Sequence, residues 1–331
     1  MANWVEQVDR RAAILLDQMI AARALALRFG EDPITLAEPY RAMLHTLYED
    51  ELPFARLVDR SDLVARFEGR AVEGDVPSIG IVTYAFTTLR EQVSKVARAM
   101  IGLSSSSARL PSDVNLGLSG LARGSLIVGI CVPQPNQTAK GENSTVFDET
   151  DLLYQSIRKA VKGVALITRY IQDGDISNDL ERGIPDPAMR DAVLVAAERI
   201  SPTGKKGIDA VSLFSSETNG LGHPLTSETR KALRRRLARP ISKEDIATFQ
   251  GVVREIDLDS RRFEIRGIDG IKAIRCVYGI EKAQEARHWL DRKVNVAGPC
   301  EYIDNLPRLM RAESIQVIEE RNWAQNRLSF D

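Results

Sequence analysis

Arginine is the residue type whose placement in this chain points to chemistry. Arg230, Lys231, Arg234, Arg235, Arg236 and Arg239 stand on one helical stretch between Thr226 and Pro240, opposed only by Glu228. Arg262, Arg266 and Arg275 follow on two strand-like segments. Guanidinium groups at that density attract phosphates, because neutralising phosphates supplies most non-specific nucleic-acid affinity. The competing reading is structural: basic residues complement the negative end of their own helix and pair with acidic surface.

Other chemistry is thinly represented. The three histidines, His45, His223 and His288, are isolated, and no HExxH, CxxC or Cys/His cluster with zinc spacing occurs. Gly204-Lys205-Lys206-Gly207 is not a GxxxxGK[ST] phosphate loop, and Gly117, Gly120, Gly124 and Gly129 do not make a dinucleotide fingerprint. Around Ser125, Arg123 and Ile127 occupy the glycine places of GxSxG. Asp173, Asp175, Asp179 and Glu181 are read as a hydrated acidic loop rather than an acid/base pair. No catalytic residue, metal site or cofactor is expected, and the chain is read as leaning away from enzyme function. An active site assembled from distant residues stays open as an alternative.

The second arginine group depends on a run of strands. Residues 249–258 and 261–267 are strand candidates, and in the second Phe263 and Ile265 alternate with Arg262, Glu264 and Arg266. Asp269-Gly270 supplies a hairpin turn into a third strand, 271–278, which carries Arg275. Helical spacing follows over 280–290, then a fourth strand through Val294 and Val296, stopped by Gly298-Pro299. A fifth runs over about 309–318, with Ile315 and Val317 facing inward. Three strands, a helix and two strands resemble the oligonucleotide/oligosaccharide-binding (OB) barrel, a five-stranded Greek-key barrel. That resemblance is one of topology, covers about a fifth of the chain, and implies a binding face on strands two and three. Phe263 and Tyr278 lie on the core side of the alternation, so packing is expected of them before base stacking. Lys/Arg and Asp/Glu balance over 249–319, so any phosphate affinity there must be a local patch.

The rest of the chain reads as mostly helical with a small hairpin sheet. Residues 3–29 form a long helix ended by Gly30; Pro33 and Pro39 punctuate the way to a second helix over 40–51. Residues 62–68 and 208–215 read as strands, 113–118 and 125–132 as a hairpin, and 150–172 and 186–199 as helices. The most regular helix carries Ile79, Val82, Phe86, Leu89, Val93, Val96 and Met100 at steps of three and four, a seam for a helix of the same chain or of a partner.

The fold class expected is α+β: a mixed, mostly helical part over 1–221, a basic linker helix and joint over 222–245, an OB-like barrel over 246–320 and a tail over 321–331. The chain has 331 residues and a formal net charge of −1, which argues against wholesale attraction to nucleic acid or anionic membrane. Three scattered cysteines, no leader-like N-terminus and no long apolar run suggest a reduced, cytoplasmic setting with no membrane association. The general character looks like that of accessory proteins of bacterial gene clusters, including anti-phage loci. The function expected is therefore a non-enzymatic interaction or assembly component, with a protein partner or self-association. The alternative is nucleic-acid binding by the barrel and the basic helix.

Overall fold

The computed structural model describes residues 3–73, 77–102, 116–122, 126–133, 149–172, 174–215, 218, 222–241 and 245–319. Residues 113–115 and 125 of the expected hairpin, all but Pro133 of the loop that the polar composition of 133–145 predicts, Asp173 and the tail over 321–331 lie outside that set.

The chain opens with α1 (Trp4–Phe29), capped by Asn3 and closed by Gly30 in the left-handed conformation. Helix α2 (Pro33–Thr46) starts earlier than its two prolines suggest. Pro33 sits at the first helical position, where no N–H is needed, and the Asp32 carboxylate accepts from the Ile34 and Thr35 amides. A π-turn over Leu47–Glu51 leads into α3 (Leu52–Arg60), which the prolines also obscure.

Strand β1 (Leu63–Glu68) is followed by α4 (Ile79–Gly102), β2 (Gly117–Ala122), β3 (Leu126–Cys131), α5 (Glu149–Leu166), the short pair β4 (Ile171–Gln172) and β5 (Asp175–Ile176), and α6 (Leu180–Gly183). Then come α7 (Pro187–Ile200), β6 (Ala210–Phe214), β7 (Leu225–Thr226) and α8 (Ser227–Ala238). β2, β3, β1, β6 and β7 form one antiparallel sheet in that order. One face of β1 is covered throughout and the other only at Val64, beyond which Arg66 is exposed. Leu63, Ala65 and Phe67 join the core built with α4, α5 and α7, while Val64 packs with Leu57, Val58 and Ile127 under α3.

The C-terminal part is β8 (Ile246–Asp257), β9 (Arg262–Ile268), β10 (Ile271–Tyr278), α9 (Ala283–Ala286), β11 (Lys293–Ile303), β12 (Leu306–Ala312) and β13 (Ser314–Glu319). β8, β9, β10, β12 and β11 close into a five-stranded ring, antiparallel except for the parallel β10–β12 pair. This mixed closed barrel is consistent with an OB-like barrel at the level of topology, so the fold is α+β. Its interior is a second core, where Phe263, Tyr278 and Trp289 meet edge to face or tilted at 5.3–6.1 Å between ring centres. Cys276 and Cys300 are buried there, and burial pushes both thiols up, Cys300 to about 11.

Three details depart from the sequence expectation. The helix expected over 280–290 shrinks to a 3-10 turn and α9, with Trp289 turned into the barrel. Gly298-Pro299 does not stop the fourth strand: β11 pairs with β13 before Gly298 and with β12 after it. Gly298 permits that change of neighbour, since its φ is +154° and a Cβ would collide with the Arg311 carbonyl. The fifth strand divides at Glu313. β12 closes the barrel, and β13 extends β11 as an added edge strand on which Val317 is exposed rather than inward.

Candidate functional site

Two arginines from each candidate group meet carboxylates of one helix, α7, whose sequence PAMRDAVLVAAERI is apolar apart from Arg190, Asp191, Glu198 and Arg199. Such a helix has to be buried on every side. One face of α7 enters the N-terminal core through Val193, Leu194, Ala197 and Ile200. The stripe Ala188, Asp191, Ala192 and Val195 faces the barrel, where Ala188 packs on Ala273 of β10 and Ala192 and Val195 line the joint with Phe263.

Asp191, 2% exposed, is the anchor of that joint. Arg262 donates to it through Nη2 at 2.7 Å and Nε at 3.2 Å, and Arg275 through Nε at 2.7 Å. Burial works against the Asp191 carboxylate, but the two guanidinium groups outweigh it and hold its carboxyl at about 2. Arg262 also donates to the Ser260 carbonyl and, at 3.4 Å, to the Leu237 carbonyl of α8. Around this centre Arg190 reaches Glu301 of β11 at 2.5 Å, both buried. Arg308 of β12 takes the Asp186 carboxylate that also caps α7, and Lys95 of α4 takes Asp257 at 2.8 Å.

Seven residues beyond Asp191, on the same helical face, Glu198 receives the basic helix. Arg230 and Arg234 approach its Oε1 at 2.8 Å, and Arg230 also donates to the Ser201 carbonyl. Arg236 pairs with Glu181 at 2.7 Å, Arg235 donates to the Gly174 carbonyl and Lys231 pairs with Glu228. Arg239 is exposed at the end of α8, and Arg266 pairs with Glu264 on its own strand. Burial raises the Glu264 carboxyl despite Arg266, and Glu255 stands directly opposite it on β8.

Arg262, Arg275 and Arg230 are thus drawn inward to carboxylates of α7, and the exposed Arg234 joins Arg230 on Glu198. The strand face expected to bind an external ligand lies against the chain's own helix. The seam helix behaves similarly. Leu89, Val93 and Val96 are fully buried, Val82, Phe86 and Met100 pack against the same core, and Ile79 is exposed. Asp186, Arg190, Asp191, Glu198, Glu301 and Arg308 were not singled out by sequence reasoning. For Arg190, Asp191 and Glu198 the signal was charge set among the apolar residues of α7, which marks buried partners; Asp186, Glu301 and Arg308 carried no such signal.

Open apolar surface lies elsewhere, on the α1–α2 hairpin. Ile14, Leu25 and Met43 are 48–56% exposed along the crevice between the two helices. Two grooves of about 500 and 590 Å³ lie end to end there and share Met43. Ala21, Ala22 and Ala42 also line them, and Arg11 pairs with Glu51 at one end.

Among the described residues no cluster of His, Cys, Asp or Glu could hold a metal ion, and no helix is long and apolar enough to cross a membrane. No known protein-family model matches the chain, and no curated protein is significantly similar to it.

Proposed function

We propose that this chain is a non-enzymatic interaction and assembly component that receives a protein partner in the α1–α2 groove, while the barrel braces the molecule through α7. The observation that carries this reading is the apolar crevice of α1 and α2, where Ile14, Leu25 and Met43 are grouped and each about half exposed, because grouped rather than scattered apolar exposure marks interaction sites. A groove between two helices suits an amphipathic helix laid along it. Arg11 and Glu51 satisfy each other at its rim, so apolar complementarity rather than charge selects the occupant. The alternative, nucleic-acid binding, would require Arg230, Arg262 and Arg275 to exchange buried carboxylates for phosphates.

Affinity capture with the full chain tests the proposal. A partner held by the wild type should be lost with Leu25→Glu and Met43→Glu and kept with Arg234→Gln. Capture that depends on Arg234 and ignores both groove variants would sink it.

A further inference from the structure

A cavity of about 30 Å³, room for one water molecule, lies in the joint among Gln92 of α4, Val195 of α7 and Glu264 of β9. Two of its walls call for a partner. Gln92 is 5% exposed, and its Oε1 accepts no hydrogen bond among the described residues, which is costly unless a donor is supplied. Glu264 is 7% exposed, and the β8–β9 register sets Glu255 directly opposite it, a like-charge pair whenever both are ionised. The cations around the cavity are directed at other carboxylates, Lys95 at Asp257 and both Arg262 and Arg275 at Asp191. A neutral Glu264 answers both needs, because its O–H donates and its repulsion of Glu255 vanishes. We infer that this joint is a proton-sensitive latch: neutral Glu264 links β9 to Gln92 of α4 through one water, and ionisation of Glu264 loosens the barrel from α4.

The charged groups facing Glu264 set the balance. On its own strand Arg266 pairs with it and favours the carboxylate, but Arg266 is 46% exposed, so water screens its pull. Arg275 stands opposite on β10 and gives its Nε to Asp191 of α7, while the next residue, Cys276, is a buried thiol that stays neutral. Glu255 and Asp257 of β8 add like charge, the second held by Lys95 of α4. Burial outweighs the nearby cations and raises the Glu264 carboxyl above its ordinary 4.5. A raised folded-state value means that the stabilisation is complete below the ordinary value and is lost as pH rises through the folded one. Asp191, held at about 2, acts in the opposite direction and at lower pH, so the joint is tightest in the acidic range between the two.

Thermal unfolding of the full chain between about pH 4.5 and 8.5 reads the latch against Glu264→Gln. The amide of that variant donates as the neutral acid does but does not titrate. Its melting temperature relative to the wild type should rise across the range by at least about 2 °C. Glu255→Gln, at an exposed position, should show a smaller rise of the same sign, and it carries the test should Glu264→Gln fail to fold. Gln92→Leu should be less stable than the wild type at the acid end and recover toward it at the alkaline end. Hydrogen exchange at the two ends of the range should place the wild type's loss of protection in α4 and β9. Differences that stay constant with pH, as a purely structural role would give, or that turn toward the wild type at high pH, would overturn the latch. A rise confined to Glu264→Gln and absent from the other two variants would overturn the assignment of Glu255 and Gln92 as its partners.

Discussion

Asp191→Asn is expected to destabilise the protein by about 3–5 kcal/mol, the cost of removing one partner from a buried ionic cluster. The isosteric amide keeps the volume but leaves Arg262 and Arg275, both largely buried, facing a neutral group. At roughly 2–4 °C per kcal/mol, the melting temperature should fall by about 10 °C. The location of the damage matters as much as its size. Hydrogen exchange should rise in α7 and along β9 and β10, while β11 and β12, closed around the aromatic core, keep their protection. The pH dependence supplies a second readout. The Asp191 carboxyl is held at about 2, below its ordinary value of 3.8. A depressed folded-state value means that its stabilisation is complete above the ordinary value and is lost as pH falls toward the folded one. The wild type should lose this contribution between about pH 4 and 2, and Asp191→Asn should lack that segment of the curve. A variant as stable as the wild type would show that the joint does not depend on this carboxylate.

Trp289→Ala carries the other large expected effect, about 3–5 kcal/mol from lost burial and the cavity left behind. The ring is 3% exposed and meets Phe263 and Tyr278 at 5.5 and 5.3 Å, so the damage begins inside the barrel and not at the joint. Exchange should rise first in β8 to β12. Because the barrel covers one stripe of α7, protection of that helix should fall with it, whereas β1 and β3 in the N-terminal sheet should change little. Unfolding of the barrel that leaves α7 fully protected would contradict the bracing role.

Much of the barrel was legible because its signals are local. Phe263 and Ile265 alternate with Arg262 and Glu264, and Asp269-Gly270 makes the hairpin turn. The same locality explains the misreadings. Gly298-Pro299 looks like a stop in isolation and is a point of strand exchange only because β12 and β13 arrive on the same side of β11. Pro33 reads as a breaker until Asp32 is seen capping the helix it begins. The arginines pose a harder problem. Arg262, Arg275, Arg190 and Arg308 find their carboxylates 71, 84, 111 and 122 residues away, beyond the reach of any local pattern. Their charge was visible; their partners were not. The hairpin groove was hidden for the opposite reason, since an apolar helix face reads the same whether it is covered or bare.

The central claim, that the barrel and basic-helix arginines hold the chain together rather than hold phosphate, has a direct test. Fluorescence anisotropy of labelled single- and double-stranded DNA and RNA should be followed across a salt series with the whole chain. The same titrations belong on the variant with Arg234, Arg235 and Arg236 changed to Gln. Flat titrations at low salt, identical for both proteins, are the expected result. Binding that weakens steeply with salt and disappears in the triple variant would contradict the claim and return the surface to nucleic acid.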